Sequence, residues 1–181
     1  MDTLTPLNGK IESIIELFSS GHIREALNTV QTLISQYPNE ALLHNISGVC
    51  YKATGQLELA VQSFNRAVEI KSDFADAHYN LGLTLQELNQ LDDAVKCYLK
   101  TLTIKPDYAE AYNNLGVTFK DLDQLDEAVK CYEKALIIKP DYPEAHNNLG
   151  NALKNLGRAS KAVECFERML TIDPDNAEGH N

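Results

Sequence analysis

The sequence lacks the features of an exported or membrane-spanning protein. It has no uninterrupted apolar run near the roughly 20 residues that a membrane-spanning helix needs. Its first residues, Met-Asp-Thr-Leu-Thr-Pro, contain neither a basic segment nor an apolar stretch of the signal-peptide kind. We therefore expect a cytoplasmic chain with no membrane partner.

Positive charge is also scarce. Lysine and arginine number 16 against 26 acidic residues, which leaves a net charge of −10. Binding to a nucleic acid normally requires a clustered cationic face, so the composition argues against a nucleic-acid partner. A neutral or basic polypeptide is a better match for this surface.

Catalytic motifs are missing as well. The 181 residues contain no nucleophile elbow and no glycine-rich phosphate loop, and their acidic residues do not form a catalytic cluster. We expect no catalytic residue, no cofactor and no metal site within this chain.

What the sequence does contain is a 34-residue period. Equivalent units begin at four positions: Ala41, Ala75, Ala109 and Pro143. The eighth residue of each unit is glycine: Gly48, Gly82, Gly116 and Gly150. The twentieth is alanine: Ala60, Ala94, Ala128 and Ala162. A period of this length indicates stacked supersecondary units rather than one globular core.

Each unit reads as helix, tight turn, helix. Its fourth, seventh, eighth and eleventh residues share one helical face. The fifteenth residue has a side chain that tolerates a left-handed C-cap: Gly55, Asn89, Asp123 or Gly157. An aspartate that precedes an acidic residue by three predicts a capping box for the next helix, as in Asp73 with Asp76 and Asp175 with Glu178. The small eighth and twentieth residues predict close helix crossings, so Gly116→Leu should disrupt the stack.

These motifs resemble the tetratricopeptide repeat over nearly the whole chain. The resemblance implies an all-α fold, an α-solenoid of helix-turn-helix repeats wound into a right-handed superhelix. We expect a degenerate, capping helix pair in residues 1–40, then repeats at 41–74, 75–108, 109–142 and 143–176, and the start of a truncated further repeat at 177–181. The last complete helix would then present an uncovered apolar face, so the chain is expected to be a fragment of a longer protein or to self-associate through its uncapped C-terminal end.

The repeat explains most cysteines and histidines without a catalytic or metal-binding role. Cys97, Cys131 and Cys165 stand twenty-third in successive units, about one repeat apart, which is too far for a disulfide or a shared metal ion. Four histidines stand fourth in their units, counting the truncated unit that begins at Ala177: His44, His78, His146 and His180. In the unit that begins at Ala109, the fourth residue is Tyr112. We expect packing roles for these residues and free, buried or half-buried thiols for the cysteines.

The resemblance places function in a concave groove lined by the first helix of each unit. On that face we expect the following peptide-binding residues: Asn45, Tyr79, Asn80, Asn113, Asn114, Lys120, Asn147, Asn148, Asn151 and Lys154. Asn80, Asn114 and Asn148 all stand sixth and form a ladder whose carboxamides suit the peptide groups of an extended partner. In the alternative interpretation these amides bond between adjacent repeats, or are inherited by duplication. If the ladder binds a partner, alanine at all three positions should weaken binding and leave melting nearly unchanged.

Two functions follow from the resemblance. The first is a non-catalytic scaffold that binds a peptide segment of a partner protein. The second is the substrate-recognition arm of a larger enzyme, because the asparagine ladder is similar to that in the repeat arms of O-linked N-acetylglucosamine transferases, with a sulfotransferase or methyltransferase as further options. A catalytic domain would then lie beyond residue 181.

Overall fold

The structure, a computed structural model, describes residues 5–174, and over that range it consists of ten α-helices and contains no strand. The chain divides into two compact units, Met1–Leu88 and Asn89–Asn181. The helices of the first unit are α1 (Thr5–Ser19), α2 (Ile23–Gln36), α3 (Ala41–Ala53), α4 (Leu57–Ile70) and α5 (Ala75–Glu87). Those of the second are α6 (Leu91–Ile104), α7 (Ala109–Asp121), α8 (Leu125–Ile138), α9 (Pro143–Asn155) and α10 (Ala159–Ile172). The all-α repeat fold expected from the sequence is confirmed.

Consecutive helices pack on one another within each unit. In the first unit, each helix from α1 to α4 contacts the next, and α3 also contacts α5. In the second unit, each helix from α6 to α9 contacts the next, and α7 also contacts α9. The contacts α3–α5 and α7–α9 bring first helices of successive repeats side by side. These two helix pairs carry the residues that the sequence singles out for binding.

The apolar stripe of each helix forms the core. In the first unit, Ile14 is buried at the position where the later repeats have glycine, and it packs with Val30 and Leu43. In the second unit, Tyr132 and Leu153 belong to one buried cluster. Burying one such side chain contributes about 1.5 to 3 kcal/mol, which is how short helices that are unstable alone become stable in a stack.

The predicted glycine packing is confirmed, and the structure adds its partner. A Cβ atom placed on Gly48 would lie 2.5 Å from a ring carbon of Phe64. The same atom on Gly116 would lie 2.6 Å from the Tyr132 ring. The glycine therefore makes room for the aromatic ring in the twenty-fourth position of its own repeat.

The predicted left-handed turn residues are also confirmed. The φ angles are 74° at Gly55, 58° at Asn89, 59° at Asp123 and 72° at Gly157. At Asp123 the backbone forms a Schellman motif, because the Gln124 N–H donates to the Phe119 carbonyl at 2.8 Å. Asparagine and aspartate adopt this conformation more readily than other non-glycine residues.

The capping-box prediction is wrong for the helices that the structure describes. The residues at the N-caps of α5, α7 and α9 are Phe74, Tyr108 and Tyr142, and none makes a side-chain capping hydrogen bond. Each predicted aspartate lies one residue too early. A lysine instead lies over each aromatic ring, as with Lys105 at 4.4 Å from the centre of the Tyr108 ring. Asp175 and Glu178 lie outside the described residues.

Four helices begin at the first residue of a predicted repeat, namely α3, α5, α7 and α9. The unit boundary at Leu88 falls between the two helices of the repeat predicted at 75–108. The repeat boundaries and the superhelical hand therefore stay predictions. The truncated repeat at 177–181, with His180, lies outside the described residues.

Candidate functional site

The expected binding residues lie on four helices, two in each unit. In the first unit, α3 carries Asn45, and α5 carries Tyr79 and Asn80. In the second unit, α7 carries Asn113, Asn114 and Lys120, and α9 carries the other four: Asn147, Asn148, Asn151 and Lys154. Each unit thus presents its own set of side chains on two adjacent first helices.

The asparagines form the same hydrogen bond in both units. In the first, Asn80 Nδ2 donates to Asn45 Oδ1 at 3.1 Å. In the second, Asn148 Nδ2 donates to Asn113 Oδ1 at 3.0 Å. In each case the sixth residue of one repeat bonds to the fifth residue of the repeat before it.

Burial separates the two members of each pair. Asn45 is 8% exposed and Asn113 is 6% exposed, whereas Asn80 and Asn148 are half-buried. The buried amides of Asn45 and Asn113 therefore fix the positions of the more exposed amides of Asn80 and Asn148. This supports the interpretation that these asparagines bond between repeats.

This bond changes one expectation from the sequence. Removing the Asn80 or Asn148 amide would leave the buried Oδ1 atom of Asn45 or Asn113 without this donor. We expect this to lower the free energy of unfolding by about 1 to 3 kcal/mol. We now expect alanine substitutions at these positions to lower the melting temperature. Loss of binding must therefore be measured well below that temperature.

The remaining site residues range from half-buried to exposed. Lys120 lies 3.3 Å from the Asp121 carboxylate, and Lys154 is exposed on the last turn of α9. Asn151 Nδ2 donates to Asn147 Oδ1 at 3.3 Å within α9. Asn114 is half-buried, and its backbone carbonyl accepts from the Thr118 hydroxyl at 2.8 Å. Tyr79 is half-buried on α5.

One carboxylate beside this surface has a shifted pKa. Glu110 lies in the first turn of α7, and partial burial alone would raise the pKa of its carboxyl. Its own backbone N–H and the Lys139 ammonium, 3.1 Å away, outweigh that effect and lower the pKa. The group stays ionised at the positive end of the helix dipole.

The fourth-position histidines tie each helix to the turn before it. The Nε2 atom of His44 lies 2.9 Å from the Pro38 carbonyl, and that of His146 lies 2.9 Å from the Pro140 carbonyl. His78 Nε2 lies 3.1 Å from the corresponding Ser72 carbonyl. Within residues 5–174, no group of three or more potential ligands could hold a metal ion. His44, His78 and His146 are half-buried, and each connects its helix to the preceding turn.

The cysteines are free thiols, buried or half-buried as predicted. Burial raises the pKa of Cys97 and of Cys131 to about 11 and raises the pKa of Cys50 and Cys165. Few of these thiols are ionised at neutral pH, so they are poor nucleophiles.

Two surface features were missed by sequence reasoning. One is a hydrogen-bonded cluster among α2, α3 and α4, centred on Gln31 and Ser47. The other is an apolar groove between α6 and α8, which contains Leu99 and Leu115. The sequence did contain a signal for the first feature: at the seventh position of the repeat, Ser47 stands in place of the leucine found in later repeats.

None of the described helices is both long and apolar enough to cross a membrane.

Comparisons with solved structures show the same fold. A crystal structure of MamA aligns with a TM-score of 0.83 at 24% identity, covering 90% of this chain and 95% of that one. YrrB, described as a TPR protein with an unusual peptide-binding site, aligns with a TM-score of 0.78 at 21% identity, covering 93% and 87%. The pilF protein of Pseudomonas aeruginosa aligns with a TM-score of 0.86 at 18% identity, covering 94% and 78%.

Family comparisons cover most of the sequence. The family described as TPR repeat matches residues 48–89, 84–123 and 118–157. The family described as Tetratricopeptide repeat matches residues 143–176. No curated protein gives a significant match. None of these matches points to the O-linked N-acetylglucosamine transferases in particular. The chain belongs to the tetratricopeptide repeat family.

Proposed function

We propose that this chain is a non-catalytic scaffold that binds an extended peptide segment of a partner protein on the first helices of its repeats. The observation that carries the proposal is the pair of half-exposed carboxamides, Asn80 and Asn148, each held by a buried asparagine from the preceding repeat. The same arrangement occurs once in each unit.

The chemistry of a held carboxamide suits a peptide backbone. The bond between repeats uses one N–H of Asn80 or Asn148, and a carboxamide has a second N–H and an oxygen with two lone pairs. An extended peptide presents one donor and one acceptor per residue, whatever its side chains. Because the amide is already oriented, less side-chain entropy is lost on binding.

YrrB provides a precedent within the same fold, since it is described as having an unusual peptide-binding site. At 21% identity this likeness concerns the fold alone, so the proposal for this chain depends on its own amide pairs.

The alternative of a substrate-recognition arm uses the same surface. In that case the peptide is the substrate of a linked enzyme, an O-linked N-acetylglucosamine transferase or, failing that, a sulfotransferase or methyltransferase. The sequence encoded after Asn181 separates the two: a sugar-nucleotide domain would support the arm, and a stop codon would support the free scaffold.

We further propose that α10 mediates self-association. Val163 is 53% exposed on this helix and Leu170 is 39% exposed, whereas Val129, which is equivalent to Val163 on α8, is 5% exposed where α9 packs beside it. A second copy that covers α10 would remove this apolar surface from water.

The peptide proposal can be tested without knowing the partner. The protein is used to select binders from a displayed library of random 15-residue peptides, and the affinity of one binder is measured by titration calorimetry. We expect Asn80→Ala or Asn148→Ala to weaken binding about 5- to 10-fold, as the loss of a hydrogen bond worth about 1 to 1.5 kcal/mol predicts.

Asn65→Ala is the matched control, because Asn65 is exposed on α4, a second helix, and loses the same carboxamide. Its affinity should equal that of the unmodified protein. Equal affinities for all three variants would contradict the proposed site.

A further inference from the structure

The second unit has an apolar groove on the side of α7 that turns away from its asparagines. We call it the α6–α8 groove, because α6 and α8 form its walls and α7 its floor. Leu102 and Leu115 are buried at its base, Leu99 is 49% exposed at its mouth, and Phe119 and Cys131 complete the apolar lining. Its volume is about 420 Å³. Tyr112, Leu115 and Phe119 lie at helical spacing on one face of α7, and Asn113 and Asn114 lie on another.

The equivalent groove of the first unit has different chemistry. There α2, α3 and α4 place Gln31 where the second unit has Leu99, and Ser47 where it has Leu115. Gln31 Nε2 donates to Ser47 Oγ at 2.8 Å and to Tyr51 Oη at 3.3 Å. This groove is smaller, about 230 Å³, and its Gln31, Ser47 and Tyr51 side chains hydrogen-bond to one another. Of these two equivalent grooves, the one in the second unit is the larger and has the more apolar lining.

The charged residues that line the α6–α8 groove are Lys130, Lys134 and Glu127, so lysines outnumber carboxylates there. Lys130 and Lys134 project from α8 one turn apart, and Lys130 is bound to Glu127 at 2.6 Å. Among the described residues, Lys134 makes no ion pair, although the equivalent Arg168 binds the Asp141 carboxylate at 3.0 Å. In a chain with a net charge of −10, an unpaired lysine beside exposed leucine favours a partner that presents a carboxylate.

We propose that the α6–α8 groove is a docking site for a short peptide segment that carries two apolar side chains followed by an acidic residue. The apolar side chains occupy the space between Leu99 and Phe119, and the carboxylate pairs with Lys134. A contact of this size is expected to be weak, because a stable interface buries far more surface.

The test uses defined peptides and residue-resolved NMR. The ¹⁵N-labelled full chain is titrated with acetyl-Leu-Leu-Asp-amide at millimolar concentration, with acetyl-Leu-Leu-Lys-amide and acetyl-Ser-Ser-Asp-amide as controls. We expect saturable shifts centred on Leu99, Phe119 and Lys134 with the first peptide and at least 5-fold weaker binding of both controls.

Three variants complete the test. Leu99→Gln introduces at an exposed position the residue type that the first unit has there, Gln31, and should weaken binding at least 5-fold. Lys134→Glu should reverse the preference so that the lysine peptide binds better. Asn148→Ala should leave this binding unchanged, which separates the groove from the proposed amide site.

Equal binding of the three peptides, or unchanged binding by Leu99→Gln, would overturn the proposal. Shifts at the same residues on raising the protein concentration without peptide would also overturn it and would assign the groove to contact between copies of this chain.

Discussion

Tyr132 illustrates how a single atom can be poorly accommodated in a well-packed core. Its ring packs against Gly116, and its hydroxyl is the one buried side-chain polar atom without a hydrogen-bond partner among the described residues. Burial accordingly raises the pKa of this tyrosine. Phenylalanine stands at the equivalent positions Phe64 and Phe166. The ring is what the packing requires, and the hydroxyl adds a desolvation cost.

We therefore expect Tyr132→Phe to leave the free energy of unfolding unchanged or to raise it by up to about 1 kcal/mol. Tyr51→Phe is the matched control, because its hydroxyl accepts a hydrogen bond from Gln31 and its removal should cost about 0.5 to 1.5 kcal/mol. Urea denaturation measures both. A loss above 1 kcal/mol for Tyr132→Phe would mean that the hydroxyl has a partner, such as a buried water.

At the scale of the element, the repeat is a pair of helices, and an aromatic ring on the second helix packs against a glycine on the first, as Tyr132 does against Gly116. The Gly116 and Tyr132 positions come from the two helices α7 and α8, and no side chain larger than hydrogen fits between them. The close approach therefore fixes how the two helices cross.

We expect Gly116→Ala to lower the free energy of unfolding by about 1 to 3 kcal/mol, since the added carbon would lie 2.6 Å from the Tyr132 ring. Gly9→Ala is the control. Gly9 lies in α1, and an added Cβ would meet no atom within 4 Å beyond its chain neighbours and the backbone of its own helix, so helix propensity should stabilise that variant by about 0.5 to 1 kcal/mol. Equal effects of the two substitutions on the midpoint of denaturation would contradict this view of the crossing.

Features that depend on residue type at a repeated position could be predicted from the sequence. Helix pairing and the positive φ at Asn89 and Asp123 belong to this class, because only a few residue types suit those positions. The capping box failed because the pattern could not distinguish Asp107 from Tyr108 as the N-cap. A shift of one residue is within the usual uncertainty of helix ends.

The candidate site was predicted only in part, for a different reason. The sequence places Asn80 and Asn148 on the correct helices, but a pattern cannot specify which neighbour a flexible amide will bond. The α6–α8 groove was missed because it depends on Leu99, an exposed residue outside the apolar stripe. Both features emerge only from side chains of adjacent repeats in three dimensions.

At the scale of the whole molecule, the described part of the chain presents two kinds of surface besides the α6–α8 groove. The first helices carry held amides, and α10 carries exposed apolar side chains. An apolar surface of the second kind favours association, since water is released when it is covered.

We therefore expect sedimentation equilibrium to show reversible association as the protein concentration rises. Val163→Glu should shift the protein toward the monomer, because a carboxylate would be buried at the contact. Ile137→Glu is the control, as Ile137 is strongly exposed on α8. A strict monomer at high concentration, or equal effects of both substitutions, would contradict pairing through α10.

The central claim is that the held amides of Asn80 and Asn148 contact the peptide backbone directly. The most direct measurement is a ¹⁵N–¹H spectrum that resolves their side-chain NH₂ groups while a library-selected peptide is added. We predict that the signal of the held asparagine in the unit that binds the peptide, Asn80 or Asn148, shifts and saturates with binding, while the NH₂ signal of Asn65 stays in place. Binding that saturates without moving either the Asn80 or the Asn148 signal would contradict the account.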